Sequence, residues 1–298
     1  MSKESSRFRG VTVALITPFK SDFSVDEARL RRLVDWHIEQ GTDVILACGT
    51  TGESATLSHE EHRRVIDIVI EQAAKRIPVL AGAGSNCTDE AVSLTVHAEE
   101  SGADGILSVA PYYNKPTQRG LYEHFKAIAQ ATRLPVILYN VPGRTSSNIA
   151  AETVLQLAEI PNIVGIKEAS GNFSQIMEIL RRRPQGFLVL SGDDALTLPM
   201  MALGAEGVVS VVANEAPAMM KQMVLAAANG DWDSARALHF KLLPLMEANF
   251  WESNPIPVKA ACAMMGLAED VLRLPLVPMS EANREKLRRL LLELGLIS

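Results

Sequence analysis

Residues 11–41 read VTVALITPFKSDFSVDEARLRRLVDWHIEQG, and the two periodicities inside that stretch decide the fold class. Residues 11–16 are a short apolar run rich in β-branched side chains, closed by Thr17-Pro18. Residues 26–40 then place Leu30, Leu33, Val34 and Ile38 at helical spacing, and Gly41 supplies the stop. The same unit recurs behind apolar runs at 44–47, 79–83, 105–109, 136–139, 163–166, 187–190 and 208–212. Ser58, with Glu61 three residues on, fits a capping box at one of the helix starts. Strands that alternate with helices imply a parallel sheet with helices outside it. Eight such units predict an α/β fold of the (β/α)8 TIM-barrel type over residues 1–230. An open doubly wound sheet is the rival. Against it, the first strand–helix turn, Thr17-Pro18-Phe19, has no glycine fingerprint, and Cys87 stands where Gly82-Ala83-Gly84 would need its third glycine. No dinucleotide site follows, and no cofactor is expected. Beyond residue 230 the pattern is helical only, with segments at 232–248 and 281–294 around a Pro-rich turn at 254–257. Residues 231–298 therefore read as a C-terminal helical extension.

Of the 298 residues, 47% are apolar and 21% charged, which excludes a disordered or fibrous chain. Lys and Arg number 29 against 35 Asp and Glu, so the net charge of −6 offers no global positive field for nucleic acid. No run of about 18 apolar residues is present to cross a membrane. The polar opening MSKESSRFRG lacks the apolar stretch of an export signal. Cys48, Cys87 and Cys262 are odd in number, far apart and free of any CxxC spacing. That suits reduced side chains in the cytoplasm better than a disulfide frame or a zinc site.

Barrel chemistry belongs at the C-terminal ends of the strands. Those ends read GTTGES (49–54), AGSN (83–86), PYYNKP (111–116), YNVPGRT (139–145), KEASGN (167–172), SGDD (191–194) and VVAN (211–214). Turn chemistry alone explains much Gly, Pro and hydroxyl content, but Lys and Tyr are poor turn formers. Lys167 ends a strand expected to be buried on both faces. Desolvation of an ammonium there favours the neutral amine, which is the form that condenses with a ketone to a Schiff base. The competing reading is a structural lysine paired with Glu168 or reaching outward to solvent. Lys259, in Pro257-Val258-Lys259, lies outside the barrel strands and reads as structural.

Tyr139 ends the preceding strand and is therefore expected beside Lys167, provided Ile137 and Tyr139 share the inward face as Gly165 and Lys167 do. Gly165 would leave room above the core for a small substrate. A phenol within reach of the amine can carry protons through carbinolamine formation and dehydration. Its ordinary pKa near 10 calls for hydroxyl partners, which Thr50 and Thr51 can supply. The Gly49-Thr50-Thr51-Gly52 turn also offers backbone N–H groups to a carboxylate. Arg144 reads equally as a fork for a second carboxylate or as one half of a surface ion pair. His59 and His62 do not make a metal motif, because position 63 is Arg and no third ligand stands out, so no metal is expected. The Arg181-Arg182-Arg183 run before Pro184 suits a helix C-terminus better than an anion site.

GTTGES, PYYNKP, YNVPGRT, KEASGN, SGDD and NPIPVK (254–259), in this order and spacing, resemble the dihydrodipicolinate synthase family, within the wider group of pyruvate-dependent class I aldolases and lyases. The resemblance covers essentially the whole chain. It implies that Lys167 forms an imine with pyruvate. It also implies that Tyr139, Thr50 and Tyr113 form a proton relay, Tyr113 reaching into a neighbouring subunit's site. Thr51 and the backbone of Val209 would contact pyruvate, and Arg144 would hold the carboxylate of L-aspartate 4-semialdehyde. A homotetramer built from tight dimers is implied. So is a feedback site for L-lysine at the tight dimer interface, on Ser54, Ala55, His59, His62, Asn86, Glu90 and Tyr112. Two positions depart from the common pattern: Val209 replaces a larger aliphatic, and Ser253 replaces a frequent proline.

Two other functions compete. One is another pyruvate-imine aldolase, such as an N-acetylneuraminate or 2-keto-3-deoxy sugar acid lyase. For that enzyme GTTGE and Arg144 are the wrong loop groups. The other is a catalytically silent lysine-binding regulator, against which the intact Lys167–Tyr139 pair argues.

Overall fold

A computed structural model describes residues 3–298, and its strands pair in sequence order into a closed parallel ring. The strands are β1 (Gly10–Ala14), β2 (Val44–Ala47), β3 (Val79–Gly82), β4 (Gly105–Val109), β5 (Val136–Asn140), β6 (Ile163–Glu168), β7 (Leu188–Ser191) and β8 (Gly207–Ser210). β8 bonds back to β1, with Gly10 opposite Gly207 and Val13 opposite Ser210. That closure removes the open-sheet alternative.

β1 and β8 stop earlier than their apolar runs suggest, at Ala14 and Ser210, because side chains take over the ladder; past β8, Asp194 Oδ2 accepts from Val211 N at 2.9 Å and Val212 N at 3.0 Å. Asn214 Oδ1 accepts from Ile16 N at 3.0 Å, and its Nδ2 donates to Ala14 O at 2.8 Å. β6 instead runs on to Glu168, so Lys167 lies inside the strand, opposite Tyr139 on one side and Leu190 on the other.

Two apolar layers follow from the pleat. Leu46, Leu80, Leu107, Ile137, Leu188, Leu190 and Val209 fill the barrel, joined by Phe8 from the segment before β1. Val11, Val13, Ile45, Ile106, Leu138 and Ile166 face outward against the helices. Asp26 caps the first of these helices, Glu27–Glu39, by accepting from Arg29 N at 3.0 Å. The capping box expected at Ser58 and Glu61 is present at the start of His59–Ala73. After β8 the chain is helical, through Pro217–Ala228, Trp232–Ala248, Ile256–Met264 and Glu281–Glu293. The arginine run ends the helix Phe173–Arg182, and its side chains pair with Glu178, Glu152 and Glu206. No helix among the described residues is long and apolar enough to cross a membrane.

Four buried histidines, His37, His62, His124 and His239, each resist protonation in the folded chain and so weigh against stability in acid. Burial pushes His37 down to about 3, and His62 and His124 down to about 4. Below the ordinary histidine value the unfolded chain takes up protons that the folded chain refuses. The histidine contribution to stability is therefore full well above pH 6.5 and is lost as the pH drops towards 4, while the buried carboxyls of Asp194 and Glu215, pushed up by burial, act in the opposite direction. At pH 5 the loss is about 2 kcal/mol for each of His37, His62 and His124. Melting temperatures should fall between pH 7.5 and 5, and His124→Gln should flatten that fall; equal slopes would show that His124 does not contribute.

Candidate active site

Lys167 is buried, 6% exposed, and its Nζ stands 4.0 Å from the centroid of the Tyr139 ring. The strand alternation sends its neighbour to the opposite face. Glu168 there accepts from Asn140 Nδ2 at 3.1 Å, Ser170 N at 2.7 Å and Gln175 Nε2 at 3.1 Å. Glu168 is thus not the partner of Lys167, and the structural-pair reading falls away. Leu46, Cys48, Thr50, Tyr139 and Lys167 enclose a cavity of about 50 Å³ at the C-terminal end of the barrel.

The role expected of Gly165 needs correction. Its register opposite Ile137 holds, but through a bulge in the β5–β6 pairing that turns Val164 into the barrel. A Cβ at Gly165 would lie 2.8 Å from both the Cβ and the carbonyl oxygen of Leu188. The missing side chain admits β7, not a substrate. The glycine that shapes the lysine's surroundings is Gly192, where a Cβ would meet Ala169 Cβ at 2.7 Å and Lys167 Cε at 2.9 Å.

A larger cleft of about 490 Å³ opens beyond the small cavity and shares Thr50, Ser54, Gly84 and Val109 with it as walls. Arg144 lines this cleft, and its Nη2 donates to Asn254 O at 3.2 Å. Ser54, Ala55, His59, His62, Glu90 and Tyr112 line it too. Asn86 is beside them, its carbonyl accepting from Asn114 Nδ2 at 2.8 Å. His59 Nε2 lies 3.2 Å from Glu90 Oε1, and the Ser85 hydroxyl also donates to Glu90. Burial, aided by the neighbouring His59, holds His62 neutral at pH 7. A carboxylate beside a neutral imidazole is a good receptor for an ammonium group. Among the described residues no three His, Cys, Asp or Glu side chains are grouped as metal ligands would be.

The remaining residues divide. Thr51 is buried, and its Oγ1 accepts from Asn254 Nδ2 at 3.0 Å. Val209 belongs to the inner layer of the barrel. Tyr113 is 89% exposed with φ +74, and it does not line the Lys167 cavity of its own chain. Sequence reading missed the tie between Glu53 and the C-terminal extension. Lys259 lies outside the strands, as expected, and its partner is Glu53: Nζ donates to Oε1 at 2.6 Å. Burial pulls the Lys259 ammonium below the ordinary lysine range, against the opposing pull of Glu53. The apolar company of Lys259 in PVKAAC was the one available signal.

Residues 7–294 match the model of the Dihydrodipicolinate synthetase family. The chain belongs to this family. The 4-hydroxy-tetrahydrodipicolinate synthase of Syntrophus aciditrophicus is 56% identical over 290 residues, covering 97% of this chain and 99% of that protein. The crystal structure of the Aquifex aeolicus dihydrodipicolinate synthase superposes with a TM-score of 0.96 at 54% identity, over 97% of this chain and 99% of that one. The enzyme of Cyanidioschyzon merolae, solved with lysine bound, gives 0.95 at 43% identity over 98% of this chain and 99% of that one. Membership in the dihydrodipicolinate synthetase family makes the chain a pyruvate-dependent lyase of the Schiff-base class, and the identity of 52–56% to 4-hydroxy-tetrahydrodipicolinate synthases sets aside both the sugar acid lyase and the silent regulator.

Proposed function

We propose that Lys167 is the imine-forming amine of a 4-hydroxy-tetrahydrodipicolinate synthase that condenses pyruvate with L-aspartate 4-semialdehyde, in lysine and diaminopimelate biosynthesis. The observation that carries this reading is the buried Lys167 amine, which shares one small cavity with Tyr139 and Thr50 at the catalytic end of the barrel. The amine adds to the pyruvate ketone, and the carbinolamine loses water to give the imine. Loss of a methyl proton then gives the enamine, whose carbon attacks the aldehyde. Attack of the semialdehyde's own amine on the imine carbon closes the ring and frees Lys167. Tyr139 and Thr50 carry the protons, with Tyr113 of a second copy of this chain completing the relay. The exposure of Tyr113 supports that placement and a dimer-based tetramer. Thr51 and the Val209 backbone hold pyruvate, and Arg144 holds the semialdehyde carboxylate at the mouth of the cleft. The unpaired Cys48, Cys87 and Cys262 support a cytoplasmic setting.

Pyruvate and L-aspartate 4-semialdehyde together should be consumed, while N-acetylneuraminate should release no pyruvate; the opposite pattern would overturn the substrate assignment. The cleft lined by Ser54, Ala55, His59, His62, Glu90 and Tyr112, with Asn86 next to its wall residue Ser85, is the L-lysine site in this reading. Glu90 would take the ligand's side-chain ammonium. Millimolar L-lysine is expected to inhibit turnover, and a flat response would sink the regulatory assignment.

A further inference from the structure

The turn that carries Thr50 and Thr51 is tied to the C-terminal extension by a buried charge pair. Glu53 is 3% exposed and held at φ +52, an uncommon conformation for a residue with a side chain. Its Oε1 accepts from Lys259 Nζ at 2.6 Å, and its Oε2 accepts from the backbone N–H of Arg273 at 3.2 Å. Both side chains of the pair are wholly buried. Lys259 belongs to the helix Ile256–Met264, and its Nζ lies 4.1 Å from the centroid of the Phe19 ring. Asn254, just before that helix, ties down the same turn through Thr51.

The turn transmits position because it is internally bonded. Glu53 N donates to Thr50 O and Gly52 N to Gly49 O, both at 3.1 Å. The Thr17 hydroxyl donates to Gly52 O at 2.6 Å. A displacement of Glu53 therefore carries Thr50 with it. Neither Glu53 nor Lys259 lines the Lys167 cavity. Buried ion pairs add little to stability relative to well-packed apolar residues, so this pair needs a reason other than holding the fold together. What it supplies is direction: a carboxylate with two fixed donors has one place to be.

We propose that Glu53 and Lys259 are positioning residues that fix the 49–54 turn against the Lys167 cavity and make pyruvate capture depend on the C-terminal extension. The proposal rests on Lys167 being the pyruvate-binding amine. Its test compares the full-length wild type with Glu53→Gln, Lys259→Met and the double variant Glu53→Gln/Lys259→Met. Melting temperature, pyruvate KM, kcat and the rate of borohydride trapping with pyruvate are measured for each. The single variant Lys259→Met leaves an uncompensated buried carboxylate and should melt lower. The double variant buries no net charge and should regain the melting temperature. Its pyruvate KM should nevertheless stay raised by about tenfold or more, with slower trapping, because the turn has lost its anchor. Glu53→Gln keeps the shape of the side chain and should show a smaller shift in the same direction. Wild-type KM and trapping rate in the folded double variant and in Glu53→Gln would overturn the proposal. Loss of fold in all three variants would overturn it too, since the pair would then serve stability alone. Absence of a Lys167 adduct in the wild type would instead defeat the pyruvate reading itself.

Discussion

Lys167→Ala is expected to lower kcat by roughly 10³-fold or more, the scale at which removal of a covalent nucleophile is felt. The variant should still fold. Lys167 contributes an amine buried against the Tyr139 ring, and Glu168, which organises the end of β6, is untouched. Its melting temperature should be unchanged or raised, because a buried amine is costly where no carboxylate balances it. Steady-state kinetics beside a melting curve check both halves. Full turnover in Lys167→Ala would remove the imine from the mechanism, whatever the fold.

Gly192→Ala should be the next most damaging change, although glycine to alanine is the smallest substitution available. The new methyl would lie 2.7 Å from Ala169 Cβ and within 3.1 Å of both Lys167 Cε and Lys167 Cγ. Ala169 is fixed by its N–H bond to Asn140 O at 2.9 Å, so the lysine side chain is what gives way. A displacement of about 1 Å at the reacting amine costs roughly 10²-fold in rate. The loss should appear in kcat/KM for pyruvate and in slower imine trapping. A variant with wild-type kinetics would show that the amine finds its position without Gly192.

The same residue contrast shows what a sequence yields and what it withholds. The strand–helix period and the closed barrel were legible because they are local: each apolar run and each amphipathic helix is written in consecutive residues. The buried place of Lys167 was legible because a lysine in a doubly buried strand breaks the pattern around it, and its pairing opposite Tyr139 followed from strand adjacency. Gly165 misled because a glycine inside a strand can mean space for a ligand or close approach of a neighbouring strand. Only the β5–β6 bulge and the position of Leu188 decide between them. Asn214, which ends β1 early, bonds across 198 and 200 residues of chain. The Glu53–Lys259 pair spans 206 residues. No periodicity reports such a pairing. Tyr113 is a different case: it is exposed in the single chain, and the role proposed for it depends on contacts that one chain does not contain.

Borohydride reduction of the enzyme in the presence of pyruvate, followed by intact-mass spectrometry and peptide mapping, tests the central claim most directly. A single pyruvyl adduct on Lys167, absent from Lys167→Ala, is the expected result. No adduct, or an adduct on Lys259, would contradict the assignment of the active site.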